Sequence, residues 1–286
     1  MSSACGAETV NAARRTLSRA NAAAALLLLV AGGMVTSTAS GLAVPDWPLS
    51  YGQWMPTMVG GVFFEHGHRM IASFVGLLIL AMAFWTQWEE ARPGVRRLAW
   101  WTLFAVSLQG ILGGITVLYG LPVTVSAAHA TIGQTVFCLL VIMAELLGPK
   151  PDCVVKPVSF VKWIGVMGVA ALWTQLVLGA IFRHGGSGII WHVAGAVAAT
   201  VAAGWLGCAV LFDHSEPSLR VPASALLGLL GLQLGLGAAT AGLRLLPSPR
   251  VNPAMISIAT VHLAVGALLL GCAVLLTFRL FHGEAS

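Results

Sequence analysis

Eight apolar runs, at 20–40, 69–85, 98–118, 125–147, 160–182, 189–212, 222–243 and 257–278, leave this chain of 286 residues few ways to fold. Each is close to the roughly 20 residues that a helix needs to cross the hydrocarbon of a bilayer. Water is absent there, so every backbone N–H and C=O must be satisfied inside the segment, and a helix does that. Only 9% of the residues are charged, against about 25% in soluble domains, so water cannot be the main solvent. The fold expected is an all-α integral membrane protein with eight transmembrane helices. Charge and Pro or Gly clusters at 88–94, 148–152, 213–217 and 247–249 mark connections rather than domains.

Lysine and arginine set the orientation. Eleven of the fifteen fall on the side of the N-terminus, and Arg69, Arg183, Arg244 and Arg250 fall opposite. The positive-inside rule then places both termini in the cytoplasm, in a bacterial-type inner membrane. The net charge of +5 is thus a topology signal, and nucleic acid is not an expected partner. The basic flank of the first run and the small residues at 37–43 also fit a cleaved signal peptide. Cys5, Cys138, Cys153, Cys208 and Cys272 show no paired spacing, which speaks against a disulfide framework or a thiolate metal site.

An internal repeat organises the helices. Gln109, Gln175 and Gln233 each open a Q-x-x-L-G pattern in the third, fifth and seventh runs. Gln109 and Gln233, Gly113 and Gly237, and Thr116 and Thr240 are all 124 residues apart, while Gly32, Thr36, Ser40 and Gly41 precede Gly179, Arg183, Ser187 and Gly188 by 147. Duplication of four helices explains this, giving two pseudo-twofold-related four-helix bundles. The implied parts are a tail at 1–19, a bundle at 20–148, a linker at 149–159, a bundle at 160–280 and a tail at 281–286. The repeat argues against cleavage, which would remove one partner. Close helix packing accounts for the glycines. It does not account for three glutamines, which are costly in hydrocarbon unless paired, so interhelical hydrogen bonds near a bound polar group are expected.

Each even-numbered run carries one histidine near its outer start: His68, His129, His192 and His262. In an up-and-down bundle the two even helices lie diagonally, about 12–14 Å apart, which suits a flat macrocycle whose iron takes an imidazole on each face. Tetrahedral zinc would need its ligands closer together. A proton relay would leave the pairing unexplained. Glu65 precedes His68 by three residues and shares nearly the same helix face, either as an N-terminal helix acid or as a general base or electrostatic stabiliser. His66 is expected to point elsewhere, at the interface. Arg183, at the outer end of the fifth run, is a candidate for binding haem propionates.

The stretch 41–52 (GLAVPDWPLSYG), Glu65-x-x-His68-Arg69, the histidines His129, His192 and His262, and Gln175-x-x-Leu178-Gly179-Ala180-x-x-Arg183 together resemble the haem A synthases. The resemblance covers residues 20–280. It implies an oxidoreductase that converts haem O to haem A, hydroxylating the C8 methyl successively with oxygen from water and losing water to leave a formyl group. It also implies a permanent haem b on His192 and His262, substrate haem at His68 and His129, and Glu65 as the essential acid. The partners implied are haem O, the haem O synthase that supplies it, an electron acceptor and membrane lipid. Many members have cysteines where Val44 and Ser50 stand here, which puts a loop-thiol mechanism in doubt for this chain. A di-haem b-type electron-transfer cytochrome and a small secondary transporter are the alternative readings.

Loop length separates the halves. Gly32 and His68 are 36 residues apart, whereas the matching Gly179 and His192 are separated by 13. The first half should therefore keep a cover that the second has lost.

Overall fold

The computed structural model describes residues 2–148, 159–213, 217–245 and 252–282. They form eight helices: α1 Ser2–Ser37, α2 Gly61–Glu89, α3 Pro93–Leu118, α4 Val123–Leu146, α5 Ser159–Gly185, α6 Ile189–Asp213, α7 Pro217–Leu245 and α8 Pro253–His282. All eight are long and apolar enough to cross a membrane, the first over Ala12–Ser37. The eight-span, multi-pass, all-α architecture read from the apolar runs is therefore present. The side chain of Cys5, the whole of Cys153, the linker up to residue 158 and the end of the tail from 283 lie outside the described residues.

Proline places several helix ends. Pro93, Pro217 and Pro253 each open a helix, where the missing N–H costs nothing. Asn252 accepts a hydrogen bond from the Ala254 N–H at 2.9 Å, capping α8. Pro222 lies inside α7 and cannot bond the carbonyl four residues back. That carbonyl, on Ser218, instead accepts from Arg279 of α8 at 2.7 Å. The helix consequently begins five residues before the apolar run at 222–243.

Several threonine hydroxyls are also satisfied locally. Thr36, Thr102, Thr131, Thr200 and Thr240 each donate to the carbonyl four residues earlier, so no hydroxyl among them is left bare in hydrocarbon.

The chain divides into two compact units, residues 1–122 with 132–149, and residues 123–131 with 150–286. In the first, α2 packs against α1 and α3, and Gly133 of α4 faces Leu29 of α1 and Gln109 of α3. Ile79, Met82, Leu140 and Met143 are completely or almost completely buried there. One end is tied by an ionic cluster. Glu90 holds Arg92 through two hydrogen bonds, 2.8 and 3.0 Å, and Arg14 at 3.6 Å. Arg92 also donates to the carbonyl of Leu146 at 2.8 Å, and Arg14 to that of Glu89 at 3.1 Å. The Arg92 guanidinium holds the Glu90 carboxyl down to about 2, and Glu90 in turn raises Arg92. The cluster thus joins α1, the α2–α3 turn and the end of α4.

In the second unit α5 packs on α6, α6 on α7, α7 on α8, and α8 back on α5. The ring closes, so α6 and α8 are diagonal, as the histidine reading requires. Leu206, Leu219, Leu226, Leu276 and Leu280 fill the centre.

Candidate functional site

Glycine places three of the four imidazoles. A Cβ added to Gly179 of α5 would lie 3.0 Å from His192 Cε1, and one on Gly237 of α7 would lie 3.3 Å from His262 Cε1. Gly32 of α1 stands in the same relation to His68, at 3.1 Å. Gly32, Gly179 and Gly237 are therefore seats on which the histidine of the following helix rests, because any larger side chain would push the ring away. The four histidines are all half-buried.

In the second unit the glutamines bind the histidines directly. Gln175 Nε2 lies 3.0 Å from His192 Nδ1 and donates to the His192 carbonyl at 3.0 Å. Gln233 Nε2 lies 3.4 Å from His262 Nε2. The interhelical hydrogen bonds expected of these polar residues are present in both pairs. His262 is within electrostatic reach of His192 and Arg183, and His192 of Arg244. Phe182 stacks on His192 with centroids 5.9 Å apart, and the Arg244 guanidinium lies 4.6 Å over the Phe182 ring. Two imidazoles on diagonal helices thus share one end of the bundle with two arginines. Arg244 was not singled out from sequence, although its place among the four outer basic residues was a usable signal.

The donors of this second unit are imidazoles seated on Gly179 and Gly237, and His262 Nδ1 is buried with no hydrogen-bond partner. No cluster of three or more His, Cys, Asp or Glu side chains able to hold a bare metal ion occurs among the described residues. Paired imidazole donors suit a macrocycle that brings four of the metal's ligands itself.

In the first unit the loop 38–60 is fastened onto the start of α2. Helix α2 begins at Gly61, eight residues before the apolar run at 69–85, and so carries Glu65, His66, His68 and Arg69 on its first turns. Glu65 accepts from the Val44 N–H at 2.8 Å and pairs with Arg69 at 2.6 Å. Arg69 donates onward to the carbonyls of Asp46 at 2.7 Å and Leu49 at 2.9 Å. Asp46 closes the loop on itself, accepting from the Tyr51 and Gly52 N–H groups at 2.7 and 2.8 Å. The Gly52 amide foremost holds its carboxyl below the usual range. Trp47 rests on α3, where a Cβ on Gly114 would fall 2.7 Å from its ring.

His66 corrects the sequence reading. It is not interfacial but buried, 6% exposed, and its Nδ1 is 2.8 Å from Ser50 Oγ. The reason is the loop, which covers the helix face that would otherwise meet solvent. Arg69 as the central clamp was also missed, although its spacing of four from Glu65 is the spacing of a helical ion pair. His68 lies in this first unit, whereas His129 falls in the stretch 123–131 of α4 that groups with the second.

Residues 59–194, just under half of the chain, match a family described as cytochrome oxidase assembly protein. The match takes in Glu65, His68, His129, Arg183 and His192. A protein of Symbiobacterium thermophilum named Heme A synthase is 35% identical over 188 residues, covering 61% of this chain and 60% of that protein. The Heme A synthase of Bacillus licheniformis is 30% identical over 191 residues, covering 63% and 62%. That of Shouchella clausii is 29% identical over 167 residues, covering 56% and 55%. The matches support the haem A synthase family. The chain spans between about half and two thirds of the length of these relatives, and the family match ends at residue 194, before His262.

Proposed function

We propose that the protein is a membrane oxidoreductase that oxidises the C8 methyl of haem O to the formyl group of haem A. The observation that carries this reading is the pair of glycine-seated imidazoles, His192 and His262, on diagonal helices of one bundle in a chain that aligns with haem A synthases. These two histidines would hold a permanent haem b, with Arg183 and Arg244 as the residues that would bind its propionates. When bound, that group supplies one-electron redox chemistry. His68 and His129 are assigned to the substrate haem, with water as the oxygen source. Electrons leave to an acceptor, and the haem O synthase is the partner expected to deliver substrate. Both termini are placed in the cytoplasm.

Glu65 has a more definite part than the sequence suggests. Both of its carboxylate oxygens are engaged, one by the Val44 N–H and one by Arg69, so in this arrangement it anchors the loop. The loop is the cover that the first half retains, and its anchor stands one helical turn before His68. Glu65 therefore couples the closing of the cover to the substrate side. Arg69 and the buried His66 complete the fastening.

Haem extraction and chromatography of the purified protein tests the function. Haem b accompanied by haem O or haem A is expected. Haem b alone, with no conversion of supplied haem O, would favour the electron-carrier reading instead.

A further inference from the structure

The glutamines of the repeat remain unassigned by the reaction. Space for the Gln175 amide exists only because residue 195 of α6 is glycine, since a Cβ there would collide with Gln175 Oε1 and lie 2.7 Å from Leu178 Cδ1. A Cβ on Gly266 of α8 would likewise lie 3.0 Å from Gln233 Nε2. The arrangement therefore occurs twice: a glutamine and a glycine four residues apart on one helix, a histidine and a glycine on the next, and each glycine admitting the polar side chain of its neighbour. In both copies the amide nitrogen faces a ring nitrogen, and in both the amide oxygen is buried with no hydrogen-bond partner. A buried acceptor left bare is costly, so two of them at matching places call for a role.

We propose that Gln175 and Gln233 are positioning residues for His192 and His262, each amide holding one ring nitrogen so that the other is presented to the iron of the permanent haem. The inference rests on the haem-binding reading above. Its chemical basis is the imidazole itself. A neutral ring has one N–H and one lone pair, and when a metal takes the lone pair the opposite nitrogen carries the proton and needs an acceptor. A primary amide offers both a donor and an acceptor at one end and exchanges them by turning about its last bond. Turned in this way, the bare Oε1 is the acceptor such a ring requires, and Gln175 gives up its bond to the His192 carbonyl in exchange. An acceptor on the ring N–H makes the ligand more basic and favours oxidised iron, so each glutamine lowers the reduction potential of the haem it supports.

The test compares the full-length purified protein with Gln175→Leu, Gln233→Leu and Gln175→Glu. The readouts are haem b per polypeptide, the midpoint potential and the low-spin EPR spectrum. Both leucine variants should lose haem b several-fold, and the haem that remains should titrate at a higher potential with altered g values. Gln175→Glu, a stronger acceptor of the same shape, should keep its haem and titrate lower than the wild type. Unchanged content, potential and spectrum in both leucine variants would overturn the proposal. Should a leucine variant fail to accumulate, Gln175→Glu decides alone, and a potential equal to that of the wild type would overturn it. Absence of haem from the wild-type protein would instead sink the haem-binding reading, and the positioning role with it. Haem in the wild type with unaltered variants would remove only the role of the glutamines.

Discussion

Two glycines of the same helix make opposite predictions although they sit two residues apart. Gly237 seats His262, whereas a Cβ on Gly235 would meet nothing within 4 Å. Gly179 is tighter still, with His192 Cε1 3.0 Å from the place a Cβ would occupy. Overfilling a packed site costs about 1–3 kcal/mol, and the ring cannot retreat without leaving Gln175. Gly179→Ala should therefore reduce haem b content several-fold, while Gly235→Ala leaves it at the wild-type level; pyridine haemochrome assay of both purified variants checks this. Equal haem in the two would show that the glycine seats are incidental. Periodicity of small residues was visible in the sequence, but which glycine touches an imidazole depends on helix rotation, and that is set by packing.

The loop 38–60 and the turn between α2 and α3 are held by different chemistry, and each has its own test. Arg69 joins Glu65 to the carbonyls of Asp46 and Leu49, so Arg69→Gln should release the loop. Limited proteolysis in detergent should then cut between residues 38 and 60 at least several-fold faster than in the wild type, with the helices intact. An unchanged cleavage rate would show that Trp47 and the buried Val44 hold the loop without the arginine. At the other end, Glu90 titrates in the folded protein at about 2, below its ordinary 4.5. A depressed carboxylate stabilises the fold fully above the ordinary value and loses that contribution as pH falls toward the folded one. Arg92→Leu should accordingly cost about 1 kcal/mol near neutrality, because the Arg92 side chain is 47% exposed and water screens the pair. The difference in Tm between wild type and variant should shrink as pH is lowered below about 4.5. A difference that does not change over that range would mean that Arg92 acts through Leu146 alone.

The two halves are expected to fail differently when their sites are broken. A permanent cofactor needs no entry device, and the connection before His192 is only three residues, 186–188. A haem that must enter, react and leave needs a cover, and the loop 38–60 with its Glu65 anchor is proposed as that cover. His192→Ala and His262→Ala should thus lower haem b content, whereas Glu65→Ala should retain haem b, still bind haem O and form little or no haem A. If Glu65→Ala strips haem b while His192→Ala keeps it, the assignment of halves is reversed. Orientation is tested separately by labelling Cys5 in sealed vesicles. Modification only from the periplasmic side would contradict the cytoplasmic N-terminus drawn from the eleven-to-four division of basic residues.

By itself the sequence determined the number and type of elements, because the length of an apolar run and the need to satisfy backbone groups in hydrocarbon leave only the helix. It also marked the histidines and glutamines, since polar residues in a membrane are too costly to be placed at random. Tertiary structure alone decided which partners those residues take. Gln175 reaches His192 only through the rotation of α5 against α6, and Gly195 makes room for it. Glu65 and His66 are neighbours in sequence whose side chains leave the helix about 100° apart, and a loop of twenty-three residues meets both. Periodicity along one chain specifies a face; what covers that face depends on where distant backbone has been carried, and only the fold supplies that.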